Sequence, residues 1–92
     1  MTNEVKELDK VKSVEVIAYF DSEGHPRPQR IRLSREGEER QVIKIDEIIT
    51  RELSRKAGNE MFIFNCRSVI DHQSKHYVLK YEKDTCLWLL EM

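Results

Sequence analysis

The chain has 92 residues, enough for one domain with a modest core and too few for two. Charged residues make up 36 % of it and apolar residues 39 %, and 16 basic against 17 acidic side chains leave a net charge of −1. That balance excludes an overall field able to steer the protein onto nucleic acid or an anionic membrane, and no apolar run reaches the roughly 18–20 residues of a membrane-spanning helix.

Residues 1–10 are polar apart from Val5 and Leu8 and read as a tail or a short helix, with a single β domain over 11–92. Val14, Val16, Ala18 and Phe20 then alternate with Glu15, Ile17 and Tyr19, the period-2 signal of a strand. Both faces carry apolar groups, so this strand is either central or covered on its second side. Asp21-Ser22-Glu23-Gly24-His25-Pro26 breaks it, and Pro28 is expected to start the next strand, since it has no N–H for a mid-ladder place. His25-Pro26-Arg27-Pro28 reads as a stiff turn between strands.

Arg30-Ile31-Arg32-Leu33-Ser34 places Ile31 and Leu33 inward and the arginines outward. Glu36-Gly37-Glu38 supplies a turn, because glycine takes φ > 0 readily. A third strand follows from Gln41. Between Asp46 and Lys56, Ile48, Ile49 and Leu53 fall at helical spacing, with Asp46 as cap and Gly58 as stop. The β-branched content favours a strand over 41–51, extended through a bulge. Phe62-Ile63-Phe64-Asn65-Cys66-Arg67-Ser68-Val69-Ile70 and His76-Tyr77-Val78-Leu79-Lys80-Tyr81 flank a polar break at Asp71–Lys75, the pattern of a hairpin. Its inward face carries Phe62, Phe64, Cys66 and Ser68, and its partner's carries Tyr77, Leu79 and Tyr81. Lys83-Asp84-Thr85 turns the chain into a last strand with Trp88 and Leu90 inward and Leu87 and Leu89 outward. The expected fold is mainly β: about six antiparallel strands in a meander curled into a small barrel or half-barrel, with one short helix as the alternative for residues 46–57.

Reaction chemistry finds little support. Cys66, His72, His76 and Cys86 are the only metal-like set, and no close-spaced cysteine pair accompanies them. Neither thiol sits at a candidate helix N-terminus or in a glycine-rich turn that would activate it as a nucleophile. The adjacent carboxylates Asp46-Glu47 and Glu38-Glu39 point to opposite faces of a strand and read as solvated charge. The only glycines, Gly24, Gly37 and Gly58, make no phosphate-cradling loop. The reading is a non-enzyme with no catalytic residues, cofactor or metal, and with no membrane partner.

Two binding readings remain. Ile17, Tyr19, Val78, Leu87 and Leu89 fall on the face opposite the core, and such a cluster suits self-association, as a homodimer, or a protein partner. The alternative is weak single-stranded nucleic-acid binding, with Arg27, Arg30, Arg32 and Lys44 in a stripe edged by Tyr19. The charge is uneven in a way that bears on this. Residues 1–24 carry three lysines against six acids, 25–57 nine basic against six acidic residues, and 58–92 four against five. The middle alone holds a net +3, too small by itself to define a phosphate-binding face.

The stretch Val14-Glu15-Val16-Ile17-Ala18-Tyr19-Phe20, then Gly24-His25-Pro26-Arg27-Pro28, then Val42-Ile43-Lys44-Ile45, a Tyr77-x-Leu79 strand and a terminal Trp88 resembles a family of small single-domain bacterial β proteins of unknown function. The resemblance implies a cytoplasmic domain and brings no catalytic residues. Met1-Thr2-Asn3-Glu4 does not open like a signal peptide, so a cytoplasmic location with Cys66 and Cys86 reduced is expected.

Overall fold

The computed structural model describes residues 11–33, 40–56 and 58–92; the expected tail, the Glu36-Gly37-Glu38 turn and Glu38-Glu39 lie outside them. Every regular element among the described residues is a strand: β1 (Val11–Phe20), β2 (Pro26–Leu33), β3 (Gln41–Lys44), β4 (Glu47–Lys56), β5 (Asn59–Ile70), β6 (Gln73–Glu82) and β7 (Leu87–Glu91). They form one antiparallel sheet in the order β3-β2-β1-β7-β6-β5-β4. Two meanders, β1-β2-β3 and β4-β5-β6-β7, are thus joined by the pairing of β1 with β7. The sheet is curled into a half-barrel, as the alternation of apolar residues predicts.

Seven strands replace the expected six, and the helix alternative over 46–57 is overturned by β4. The difference has one physical cause. Ile45 N–H donates to the carbonyl of Gln29 on β2 at 3.0 Å, while Asp46 N–H donates to the carbonyl of Arg67 on β5, also at 3.0 Å. Successive residues therefore bond to opposite sides of the sheet, which is possible only where its two edges approach. A continuous strand over 41–51 cannot do this, so the chain breaks at Ile45-Asp46 and resumes as the other edge. Within β4, Ile48 pairs with Cys66 and Thr50 with Asn65, leaving Ile49 as the bulged extra residue. The helix-like spacing of Ile48, Ile49 and Leu53 arises from that bulge.

The corner is held by side chains as well. Asp46 Oδ2 accepts the Val69 N–H at 2.8 Å. Ser68, with no exposed surface, donates its hydroxyl to the carbonyl of Lys44 at 2.7 Å. Its one proton being used there, Ser68 Oγ receives the Tyr77 hydroxyl at 2.7 Å. These bonds join the end of β3 to β5 and β6 and seam the half-barrel shut at one end.

The opposite end is filled by rings. Trp88 lies against Phe64 (centroids 6.1 Å apart) and Tyr81 (4.9 Å), and Tyr81 in turn meets Phe20 edge-on at 5.5 Å. Ile31, Ile43, Phe64, Cys66, Tyr77, Leu79, Trp88 and Leu90 make up the buried core, with Val14, Val16 and Ala18 of β1 packed against it. Fully burying a side chain the size of Leu79 or Phe64 contributes about 1.5–3 kcal/mol.

Two corrections concern turns. The break expected over Asp71–Lys75 is only Asp71-His72, both at positive φ (52° and 66°), and β6 resumes at Gln73. That is the backbone of a two-residue type I′ hairpin. Pro26-Arg27-Pro28 is the start of β2 rather than a turn, with Phe20 opposite Pro26 and Ala18 opposite Pro28. The ladder shifts register between Ile17 and Ala18, where Pro28 has no N–H to give. Gly58, at φ 76°, turns β4 into β5. The free edge of β4 carries Glu47, Arg51, Glu52, Arg55 and Lys56 besides its bulge, features that discourage pairing with another chain.

Candidate binding face

The alternation of β1 sends Val14, Val16 and Ala18 into the core, which leaves Ile17 and Tyr19 on the outer face. They are 64 % and 56 % exposed. β1 is central in the sheet, between β2 and β7, and its second side is open. Register then decides its neighbours. Tyr19 stands opposite Arg27 and Ile17 opposite Arg30, and Arg30 in turn stands opposite Lys44 of β3. Glu15 stands opposite Arg32, which lies across from Val42. Paired residues share a face with Cβ atoms about 5 Å apart, so the four cations Arg27, Arg30, Arg32 and Lys44 lie on one surface with Ile17 and Tyr19, the cations all on the β2 side of β1.

Two of these cations are held by acids. Arg32 forms an ion pair with Glu15, and Arg27 approaches Asp21 Oδ2 at 3.4 Å. Arg30 and Lys44 have no acidic partner among the described residues. With Glu15 and Asp21 counted, the surface keeps a net +2. A shallow depression lies between the strands, bordered by Glu15, Ile17, Arg30, Arg32 and Val42.

The rim of this face is a rigid turn. Asp21 Oδ1 accepts the N–H groups of Glu23 and His25, each at 2.9 Å, and the backbone closes with Asp21 N–H to His25 O at 3.0 Å and Gly24 N–H to Asp21 O at 2.9 Å. The His25 N–H bond foremost, then that of Glu23 and the nearby Arg27 charge, hold the Asp21 carboxyl below the usual carboxylate range. The turn sets His25 over Phe62, ring centroids 6.0 Å apart.

The other outward residues fall elsewhere. Leu87 and Leu89 lie on β7 and Val78 on β6; Leu87 is exposed, whereas Leu89 and Val78 are half-buried. Leu89 stands opposite Lys80, which bonds Glu91 at 3.3 Å. The β1–β7 ladder ends at Val14–Trp88, so Leu89 has Ser13 as its β1 neighbour, whereas Ile17 and Tyr19 pair only with β2. The five apolar residues thus lie on three neighbouring strands, Ile17 and Tyr19 in the register of β2 and Val78, Leu87 and Leu89 on β6 and β7. Tyr19 stands at the edge of the basic stripe as its sequence position predicts, and the register adds Ile17, which the sequence assigns to the apolar cluster alone. Val42, 53 % exposed, was not singled out; the inward place of Ile43 already puts Val42 and Lys44 together on the outer face.

The metal-like residues are dispersed. Cys66 is buried in β5, Cys86 is exposed after β6, His72 tips the β5–β6 turn and His76 stands opposite Arg67 on the outer face. Both thiols are free. Burial pushes the Cys66 thiol up to about 11, far from an activated thiolate. Among the described residues no group of three or more His, Cys, Asp or Glu side chains is placed to hold a metal ion. Asp46 and Glu47 are partnered on β5 rather than free charge: Asp46 accepts the Val69 N–H at 2.8 Å and Glu47 bonds Arg67 at 3.1 Å.

Fold and surface together define a small antiparallel half-barrel with a basic and aromatic outer face. Comparison with protein-family models, with curated proteins and with solved structures gives no match.

Proposed function

We propose that this protein is a non-catalytic binding module whose outer β1–β2–β3 face receives an anionic partner. The observation that carries the reading is the register: the exposed Ile17 and Tyr19 have Arg30 and Arg27 as direct cross-strand neighbours, with Lys44 beyond. Arginine and tyrosine are the side chains most enriched where binding energy concentrates, because both bring large contact area and directed donors. The sheet fixes them, so little order is lost on binding.

The test is retention on an immobilised polyanion. Arg30→Glu/Lys44→Glu is expected to abolish retention, while Lys56→Glu/Lys75→Glu, an equal charge change on other strands, leaves most of it. Equal losses from both pairs would show that net charge alone is read, and the face would lose its standing.

A second reading rests on the exposed Leu87 beside Leu89: self-association through the β6–β7 outer face. Light scattering at micromolar concentration separates the two. A dimer that Leu87→Lys converts to monomer supports this reading; a monomer from the outset removes it.

A further inference from the structure

The composition of the β1–β3 face narrows the class of partner. Resting on the anionic-partner reading above, we infer that the face binds single-stranded nucleic acid, with a base stacked on Tyr19 and the backbone running along Arg27, Arg30 and Lys44.

Three features of the surface lead there. Tyr19 is the exposed aromatic ring of this face, rooted in a central strand of the sheet and 56 % exposed. A ring held this way offers a flat surface to any base, since every base has a π-face. Arg27 stands directly across from it and Arg30 one pleat along the same strand pair, so cations flank the ring on the β2 side. Arg30 and Lys44, paired across β2 and β3, continue the positive charge away from the ring rather than encircling it. The result is a platform with a cationic track leading off it, the arrangement that grips a single strand by stacking and by phosphate contact together. Ile17 and Val42 lie beside the track and supply apolar contact for a sugar or a second base edge. A duplex fits poorly, because its bases are stacked on one another and present no free face to Tyr19.

The electrostatics set the expected strength. For single strands the logarithm of the binding constant falls with the logarithm of salt concentration by about 0.7 per phosphate neutralised. Two to four contacts give a slope of roughly −1.4 to −2.8 by that relation. Arg27 and Arg32 would exchange Asp21 and Glu15 for phosphate, so the lower end corresponds to Arg30 and Lys44 acting alone.

The experiment is fluorescence anisotropy of a labelled oligodeoxythymidylate titrated with the full chain over a series of salt concentrations. Polyglutamate of matched charge and a duplex of matched length compete. The expected results are a salt slope in the range above, reduced by about 0.7 in Arg30→Ala. Tyr19→Ala is expected to weaken binding roughly 5- to 150-fold, the effect of one lost stack, with Tyr19→Phe close to wild type. Tyr19 is exposed, so neither variant is expected to disturb the fold. Polyglutamate competing as well as the oligonucleotide, with Tyr19→Ala without effect, would overturn nucleic acid as the partner and leave an acidic protein in its place. Duplex binding as tightly as the single strand would overturn the stacking role. No binding to either polyanion would overturn the anionic-partner reading as well.

Discussion

Removing the Ser68 hydroxyl is the sharpest perturbation of the fold. Ser68 is completely buried and its Oγ joins two groups, the Lys44 carbonyl and the Tyr77 hydroxyl, each at 2.7 Å. Ser68→Ala fits the same space and leaves both partners without their bond. A net hydrogen bond contributes about 1 kcal/mol, and a stranded buried group costs about 1–3 kcal/mol. The expected loss is therefore about 2–3 kcal/mol, which for a domain of this size lowers Tm by roughly 10–20 °C. Tyr77→Phe removes one of the two bonds and is expected to cost about 1 kcal/mol. Because the two side chains share a bond, the double variant should lose less than the sum of the singles, with a coupling of at least about 0.5 kcal/mol. Urea denaturation of the four proteins measures this cycle. A Ser68→Ala protein within about 0.5 kcal/mol of wild type, or strictly additive losses, would refute the claim that this hydroxyl seams β3 to β5 and β6.

Further expectations follow from the same structure. Asp46→Ala strips the Val69 N–H of its acceptor and is expected to cost about 1–2 kcal/mol in urea denaturation. Asp46→Asn keeps an accepting oxygen, so an equal loss from both would indicate that charge rather than the bond matters. Burial pushes the Cys66 thiol from 9.0 up to about 11 and the Tyr77 hydroxyl from 10.0 up to about 12. Both stay protonated in the folded protein where the unfolded chain ionises, so stability is complete below pH 9 and falls as pH rises towards about 12. Cys66→Ala should delay the onset of that fall by removing the earlier of the two groups, and an unchanged profile would contradict this. At the β5–β6 turn, Asp71→Asn/His72→Gly gives the left-handed backbone its preferred residues and is expected to add about 0.5–1 kcal/mol. A lower Tm in that variant would count against the type I′ assignment.

Side-chain alternation made most of the fold legible in the sequence. The inward sets Phe62-Phe64-Cys66-Ser68, Tyr77-Leu79-Tyr81 and Trp88-Leu90 stand as their spacing predicts, because a strand with one buried face has only one admissible phase. What local pattern could not show was the corner at Ile45-Asp46. Its two residues bond to Gln29 and Arg67, partners distant in sequence, and nothing in the local composition distinguishes a strand that continues from one that crosses between sheet edges. Ser68 carried a signal in being polar on an inward face, but its partners at Lys44 and Tyr77 depend on that same crossing. The binding face was half legible. Its cations and its apolar residues were each visible on outward positions, yet only the β1–β2 register places Tyr19 against Arg27 and Ile17 against Arg30. The bulge between Ile17 and Ala18 sets that register, and Pro28 accounts for it only once the strand pairing is known.

The binding face is tested most directly by amide chemical-shift mapping of isotope-labelled protein titrated with oligodeoxythymidylate. The expected result is a set of shifts centred on Ile17, Tyr19, Arg27, Arg30 and Lys44 that fades as salt rises. Shifts centred instead on Val78, Leu87 and Leu89, or none at concentrations where Tyr19→Ala and wild type behave alike, would contradict it.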